Sequence, residues 1–187
     1  MATVVTREAY FRTGIEILAA LGYGGLKLAE VCERLGVTTG SFYHYFTNWA
    51  EYTHELVEDC IKGLTDERAA ALMAETDPYR RIDSMIDVGL GLPHDANAAV
   101  RSWGSVAPRV RAVVVSLDQI RYQLVRVSAL EILGDPRQAD VVAKWAVYLL
   151  VGYEQTTLPR DQAAFTWLAK QQFRRALEPG NMTGVPD

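Results

Sequence analysis

Most of the chemistry that would announce an enzyme, a metalloprotein or a membrane protein is missing from this chain. Its 187 residues hold two cysteines, Cys32 and Cys60, and three scattered histidines, His44, His54 and His94. No Cys-x2-Cys or His-x3-His pair occurs, so no metal site and no metal cofactor are expected. Both cysteines fall in helical segments and read as free buried thiols of a reducing compartment. No apolar run reaches the roughly 18 residues of a membrane span. The start, MATVVTREAYFR, has no charged leader followed by an apolar stretch and a cleavage site. The chain is therefore expected to be cytoplasmic and to have no membrane partner. The glycines at 22, 24 and 25 lack the Gly-Lys-Ser/Thr ending of a phosphate loop, and Gly104-Ser105 lacks the second glycine of a nucleophile elbow. No catalytic residue and no cofactor are expected.

Strand signals are equally scarce: period-two alternation and Asn-Gly or Asp-Gly hairpin turns are absent. So is a cationic excess. The formal net charge is −4. Within residues 1–50, Arg7, Arg12, Lys27 and Arg34 face four acids, Glu8, Glu16, Glu30 and Glu33. Residues 51–76 hold seven acids against Lys62 and Arg68. That balance argues against a constitutive nucleic-acid coat, whose footprint is a basic surface.

What fills the chain is helical spacing, and its punctuation predicts an all-α fold of eight to nine helices. Tyr10, Phe11, Gly14, Ile15, Leu18 and Leu21 form one stripe, ended by Gly-Tyr-Gly-Gly. A second helix covers Leu28–Leu35 and stops at Gly36, suited to a left-handed cap. Thr38 or Thr39 caps a third, running to about Phe46. Asn48 caps a long fourth, reaching Glu75 before Asp77-Pro78. Further breaks at Gly91-Leu92-Pro93, Pro108, Gly134-Asp135-Pro136 and Leu158-Pro159 leave helices near 79–91, 95–107, 109–133, 137–157 and 161–178. The tail from about residue 179 is expected to fray. The division expected is an N-terminal head over 1–48 and a helical body over 49–187.

Residues 25–46, GLKLAEVCERLGVTTGSFYHYF, carry the functional signal. A short helix, a glycine turn and a second short helix opening in hydroxyl residues are the layout of a helix-turn-helix DNA reader. Phe42 and Phe46 anchor the second helix on Val31 and Leu35. That leaves Thr38, Thr39, Gly40, Ser41 and His44 on the outer side, where hydroxyls meet base edges or phosphates. One of the two threonines is expected to serve only as a cap. Tyr43 and Tyr45 offer hydroxyls to phosphate oxygens, and Lys27 is the nearby cation. The expected DNA-binding set is Lys27, Thr38, Thr39, Gly40, Ser41, Tyr43, His44 and Tyr45.

The run from Val31 to Phe46 resembles the signature of the TetR/AcrR family of transcriptional regulators, and its place behind one amphipathic helix matches as well. The resemblance is specific over about residues 5–52. It implies an Ω-like homodimer whose heads enter the two halves of a near-palindromic double-stranded DNA operator, with a small-molecule effector that weakens DNA binding. The function expected on this resemblance is that of a ligand-responsive repressor. Three positions depart from the pattern: Tyr45 stands in a histidine slot, Trp49 where many members have lysine, and Leu26 in place of a hydroxyl cap. The alternative is a helical ligand-binding or interaction protein with a vestigial head.

Two segments of the body are apolar on more than one side. In 137–157, Val142, Trp145, Leu149 and Tyr153 make one line, with Val141, Tyr148 and Val151 outside it. In 161–178, Phe165, Ala169, Phe173 and Leu177 recur every four residues, widened by Trp167 and Leu168. Such helices need cover from two directions: a second copy packed on 137–157 and 161–178 is one source of it, and the protein's own core wrapped around each helix is the other. In the middle helices Met85, Trp103, Val106, Val110, Val113, Val114, Leu117, Tyr122, Leu124, Val125, Trp145 and Leu149 could wall a pocket. Arg101, Asp118, Arg121 and Gln123 are its polar handles. The same residues describe a solid core equally well, so no ligand-binding residue is assigned.

Overall fold

The computed structural model describes residues 5–62 and 66–185, with side chains described for all of these except 60–62 and 66–68. Its described residues form helices only: α1 (Arg7–Gly25), α2 (Leu28–Leu35), α3 (Thr39–Phe42), α4 (Trp49–Lys62), α5 (Asp66–Met73), α6 (Pro78–Leu90), α7 (His94–Gly104), α8 (Pro108–Leu133), α9 (Pro136–Gln155) and α10 (Gln162–Ala176). The all-α expectation holds. The count exceeds the expected eight or nine because α4 and α5 stand on either side of residues 63–65. The expected continuity of one long fourth helix lies partly outside the described residues, as does the side chain of Cys60.

Caps explain most of the boundaries. Thr6 opens α1 by accepting from the Ala9 amide at 3.3 Å. Asn48 accepts from the Glu51 amide at 2.9 Å, while the Glu51 carboxylate accepts from the Thr47 amide, a reciprocal arrangement that fixes the start of α4. The two Asp-Pro pairs start helices rather than merely ending them. Asp77 accepts from Tyr79 and Arg80, Asp135 accepts from Arg137 and Gln138, and each proline takes the first helical turn.

One boundary meets expectation, at the Gly-Tyr-Gly-Gly run, and another departs from it. Gly22 takes φ 66° and ψ −176°, so α1 breaks there and its last residues form a turn. The third helix ends at Phe42 rather than near Phe46: Tyr43 caps it with ψ near 0°, and residues 43–45 follow as a turn. The bend lets Phe42 and Phe46 both pack on Tyr10, with centroids at 5.7 and 5.6 Å. Asn181 donates to the Arg175 carbonyl and the Glu178 carboxylate at 2.9 Å, and Met182 packs on a core.

The chain divides into two compact units that do not follow chain order: residues 1–63 with 93–115, and residues 64–92 with 116–187. In the first, α2, α4 and α7 all pack on α1, and α3 packs on α2. Its core is aromatic: Tyr10, Phe42, Phe46 and Tyr52 are all at most 2% exposed. Gly14 lets α4 approach α1, since a Cβ there would stand 2.3 Å from the Tyr52 hydroxyl. In the second unit α6 packs on α5 and α10. Its core joins Ile82, Ala129, Ala139, Val142, Ala169, Phe173 and Leu177. Arg81, 4% exposed, ties this unit together through paired bonds to the Glu131 carboxylate at 2.9 and 3.2 Å and one to the Glu75 carbonyl.

Candidate nucleic-acid interface and ligand cavity

The turn between α2 and α3 is built by Gly36 at φ 66° and ψ 32°, with its own amide bonded to Glu33 and the Val37 amide bonded to Cys32, each at 3.0 Å. A left-handed residue closing the helix in this way is the helix-ending motif that favours glycine. Val31 and Cys32 face the core, and burial pushes the Cys32 thiol upward in pKa. Cys32 is core filler.

Of the eight residues expected at the DNA surface, Lys27, Thr38, Thr39, Gly40, Tyr43 and His44 are exposed, while Ser41 and Tyr45 are half-buried. Thr38 is the cap: its hydroxyl accepts from the Ser41 amide at 3.3 Å. Thr39 opens α3 with its side chain exposed. The Ser41 hydroxyl accepts from the Tyr10 hydroxyl at 3.3 Å, which holds α3 against α1. Desolvation raises the pKa of Tyr10, so this donor keeps its proton. Tyr45 turns inward, its ring 5.5 Å from Tyr10 and its hydroxyl donating to the Val5 carbonyl. Tyr43 does the opposite and stands 55% exposed, edge-on to Phe42.

Lys27 sits at the N-cap of α2, where no side chain caps the helix; Leu26, one residue earlier, is buried. Half-buried Trp49 packs against the core, its ring tilted on Tyr52 at 4.9 Å and on Phe42 at 5.9 Å. Its aromatic neighbours explain why an indole replaces a cation there. Sequence reasoning missed this cluster, although the run of aromatics between residues 42 and 52 is its visible signal. Two head cations are matched within the unit: Arg7 pairs with Glu55 and lies 4.8 Å over the Phe46 ring, and Arg34 pairs with Glu30 at 2.7 Å. Arg12 and Lys27 are exposed.

The second unit holds a partly open cavity of about 100 Å3 between α6, α8, α9 and α10, with Leu72 of α5 and Leu92 also on its wall. Of the residues expected to wall a pocket, Met85, Leu124, Val125, Leu149 and Arg121 line it. Trp103, Val106, Val110, Val113 and Val114 belong to the other unit: Trp103 stacks on Tyr23 at 6.4 Å, and Val110 is core. Tyr122 donates to Asp140 at 2.8 Å instead. Among the residues missed are Ile82, Ile86 and Gly89 of α6 and Phe165, Ala169 and Phe173 of α10. Their spacing of three and four marks them as one face, but not whether that face meets a void or a side chain. Among the described residues no cluster of metal-binding side chains occurs, and no helix is long and apolar enough to cross a membrane.

Residues 11–51 match the sequence model of the bacterial regulatory proteins of the tetR family. The transcriptional regulator AcuR of Cereibacter sphaeroides is 35% identical over 54 residues, a match that covers 29% of this chain and 25% of that protein. The chain thus spans about a quarter of the length of this curated relative. A TetR transcription regulator from Haloarcula marismortui superposes with a TM-score of 0.74 at 15% identity, over 91% of this chain and 95% of that one. A Saccharomonospora viridis protein solved in complex with choline gives 0.71 at 17% identity, over 90% and 93%. The head thus resembles that of the tetR-family regulators over residues 11–51, with a helix-turn-helix segment, and the chain as a whole shares the fold of a solved TetR transcription regulator.

Proposed function

We propose that this protein is a ligand-responsive repressor that binds a near-palindromic operator as a homodimer. The observation that carries the reading is the outer face of α3 and its flanks, where Thr39, Gly40, Tyr43 and His44 are exposed beside Lys27. Short polar side chains on a rigidly seated helix are what base edges in a major groove require. Tyr43 and Lys27 position the head on phosphates. Thr38 and Tyr45 stabilise the head instead, because their hydroxyls already hold the Ser41 amide and the Val5 carbonyl. The matched charges of Arg7 and Arg34 imply modest non-specific affinity and a shallow dependence on salt.

Dimerisation runs through α9 and α10. Tyr148 is 68% and Trp167 65% exposed, with Leu168 beside them at 48%. Large side chains left uncovered on two neighbouring helices favour association with a second copy. Effector control follows if the two head spacings of the dimer differ in affinity for a ligand in the second unit's cavity. Such coupling is typically about 1–3 kcal/mol. A same-fold protein that holds choline supports the idea of a small-molecule effector. By this reading the protein acts on double-stranded DNA in the cytoplasm and catalyses no reaction.

The test is a mobility shift of the purified chain against duplexes selected from random sequence. A two-fold symmetric consensus bound by a dimer is the expected result. Absence of any selected duplex at low ionic strength would overturn the reading in favour of a vestigial head, which the neutral charge of residues 1–50 otherwise favours.

A further inference from the structure

Building on the effector site just proposed, we infer that its ligand is amphipathic. An apolar end of about four carbons fills the cavity of the second unit. A hydrogen-bond-donating end, an amine or a hydroxyl, lies against Glu75 in an adjoining recess.

The recess, of about 420 Å3, is lined by Ala71, Leu72, Glu75, Ser84, Val88 and Gly91. Leu72 and Val88 stand on the wall of the cavity as well, so the two spaces adjoin at these side chains. Helical spacing explains how α6 serves both. Ser84, Val88 and Gly91, three and four residues apart, share the face that meets the recess. Ile82, Met85, Ile86 and Gly89 share the face that meets the cavity, and Val88 lies at the border of the two.

The two spaces differ in chemistry. Apart from Arg121, which is bonded to buried Glu154, the cavity wall is aliphatic and aromatic carbon. Burial against such a wall stabilises an apolar group. The recess presents oxygen instead. Glu75 is half-buried, and one oxygen of its carboxylate accepts from the Asp77 amide at 3.0 Å. Its other oxygen has no partner among the described residues. An ionised carboxylate accepts hydrogen bonds and donates none, so the ligand group that meets it must donate. Exposed Ser84, one turn before Val88, offers a hydroxyl to the same end.

An acidic end is disfavoured there, because two carboxylates side by side repel. The nearby guanidinium does not offset this. Arg81 is committed to the Glu75 carbonyl, the Ser128 hydroxyl and both oxygens of Glu131. Size follows from the volume. An apolar cavity of about 150 Å3 holds the six carbons of benzene. The present one, at about 100 Å3, therefore takes about four.

The experiment uses four probes of similar length: hexylammonium, hexanol, its isomer methoxypentane, which accepts but cannot donate, and hexanoate. The full chain is labelled at its methionine methyl groups, and the Met85 resonance is identified through Met85→Leu. Hexylammonium and hexanol are expected to shift that resonance with about tenfold tighter binding than hexanoate. Both should also bind a few-fold tighter than methoxypentane. Glu75→Gln keeps an acceptor for the Asp77 amide but removes the charge. It should weaken hexylammonium about tenfold and leave methoxypentane unchanged, which also shows that the variant is folded. Ala146→Leu, which fills the cavity, should abolish the Met85 response to every probe. Should that variant fail to fold, a nuclear Overhauser contact between the hexyl methyl group and Met85 in the parent must be seen.

Hexanoate that binds as tightly as hexylammonium would overturn the inference, as would equal binding of hexanol and methoxypentane. Silence of the Met85 resonance towards all four, or undiminished hexylammonium binding in Glu75→Gln, would do the same. So would a persistent response in Ala146→Leu, or a missing contact between hexyl methyl and Met85. Operator affinity is measured separately. Hexylammonium that binds without altering it would remove ligand control from the proposed function and leave the ligand assignment standing. Normal operator binding with no bound probe would do the reverse.

Discussion

Tyr45 donates its hydroxyl to the carbonyl of Val5, forty residues earlier in the chain. Two residues before it, Tyr43 stands more than half exposed. The two tyrosines therefore have separable roles. Tyr43→Phe should weaken operator binding and lower the salt dependence by about one unit of slope, with unchanged thermal stability. Tyr45→Phe should cost roughly 0.5–1.5 kcal/mol of stability, the usual net worth of such a bond, and leave the salt slope as it was. Fluorescence titrations across a salt series, paired with urea unfolding, read both effects.

The left-handed conformation of Gly36 sets a second expectation. A Cβ at that backbone geometry costs roughly 1–2 kcal/mol. Gly36→Ala should lower the urea midpoint accordingly, while Gly40→Ala, at an exposed helical position, should leave it nearly unchanged. If the two variants unfold alike, the turn is not held in the left-handed form.

How much of this could be read from the residues varies with the range of the interaction. The span of α2, its stop at Gly36 and a threonine cap for α3 are local matters, and neighbouring residues decide them. The fate of the Tyr45 hydroxyl depends on where Val5 arrives, which no spacing rule encodes. The same holds for the cavity. Ile82, Ile86 and Gly89 announce an apolar face by their period, but whether side chains or empty space meet it depends on the closure of α10. Trp49 was legible as a departure from a family pattern, not as the aromatic plank against Tyr52 that it is.

Close packing of α1 on α4 gives a third prediction. In Gly14→Ala the new methyl would lie 2.3 Å from the Tyr52 hydroxyl and 2.7 Å from a Leu56 methyl. The hydroxyl cannot retreat freely, because it donates to the Tyr10 carbonyl at 2.9 Å in the buried core. The helices must separate, at a cost of about 1–3 kcal/mol. Calorimetry should show the loss, and Gly152→Ala, whose added carbon meets nothing within 4 Å, is the control.

Acid sensitivity should focus on Asp140. The Lys144 ammonium at 2.9 Å, with the Tyr122 hydroxyl at 2.8 Å, holds its carboxyl below the usual range. A depressed carboxylate stabilises the fold above its unfolded pKa of about 3.9 and stops doing so as pH falls through the lower folded value. Asp140→Asn should therefore be less stable than the parent at neutral pH and equal to it once the parent carboxyl is protonated. Melting temperatures across a series from pH 7 down to about 2 decide it; a constant difference would exclude this linkage.

Association is tested at its exposed aromatics. Tyr148→Asp with Trp167→Asp places two charges where the proposed partner would pack. Sedimentation should then give a monomer with the parent's helical content, and operator affinity should collapse with it. A dimer that survives both changes would move the interface elsewhere.

The interleaving of the two compact units has a practical corollary. The polypeptide leaves the first unit after residue 63, returns at 93 and departs again after 115. An N-terminal fragment ending before residue 93 would lack α7 and bare the flank of α1 that Ala96, Ala99 and Val100 cover. The helix-turn-helix portion is thus no detachable cassette. Grafting it onto a foreign effector module would mean transplanting a stretch that lies past residue 90 as well.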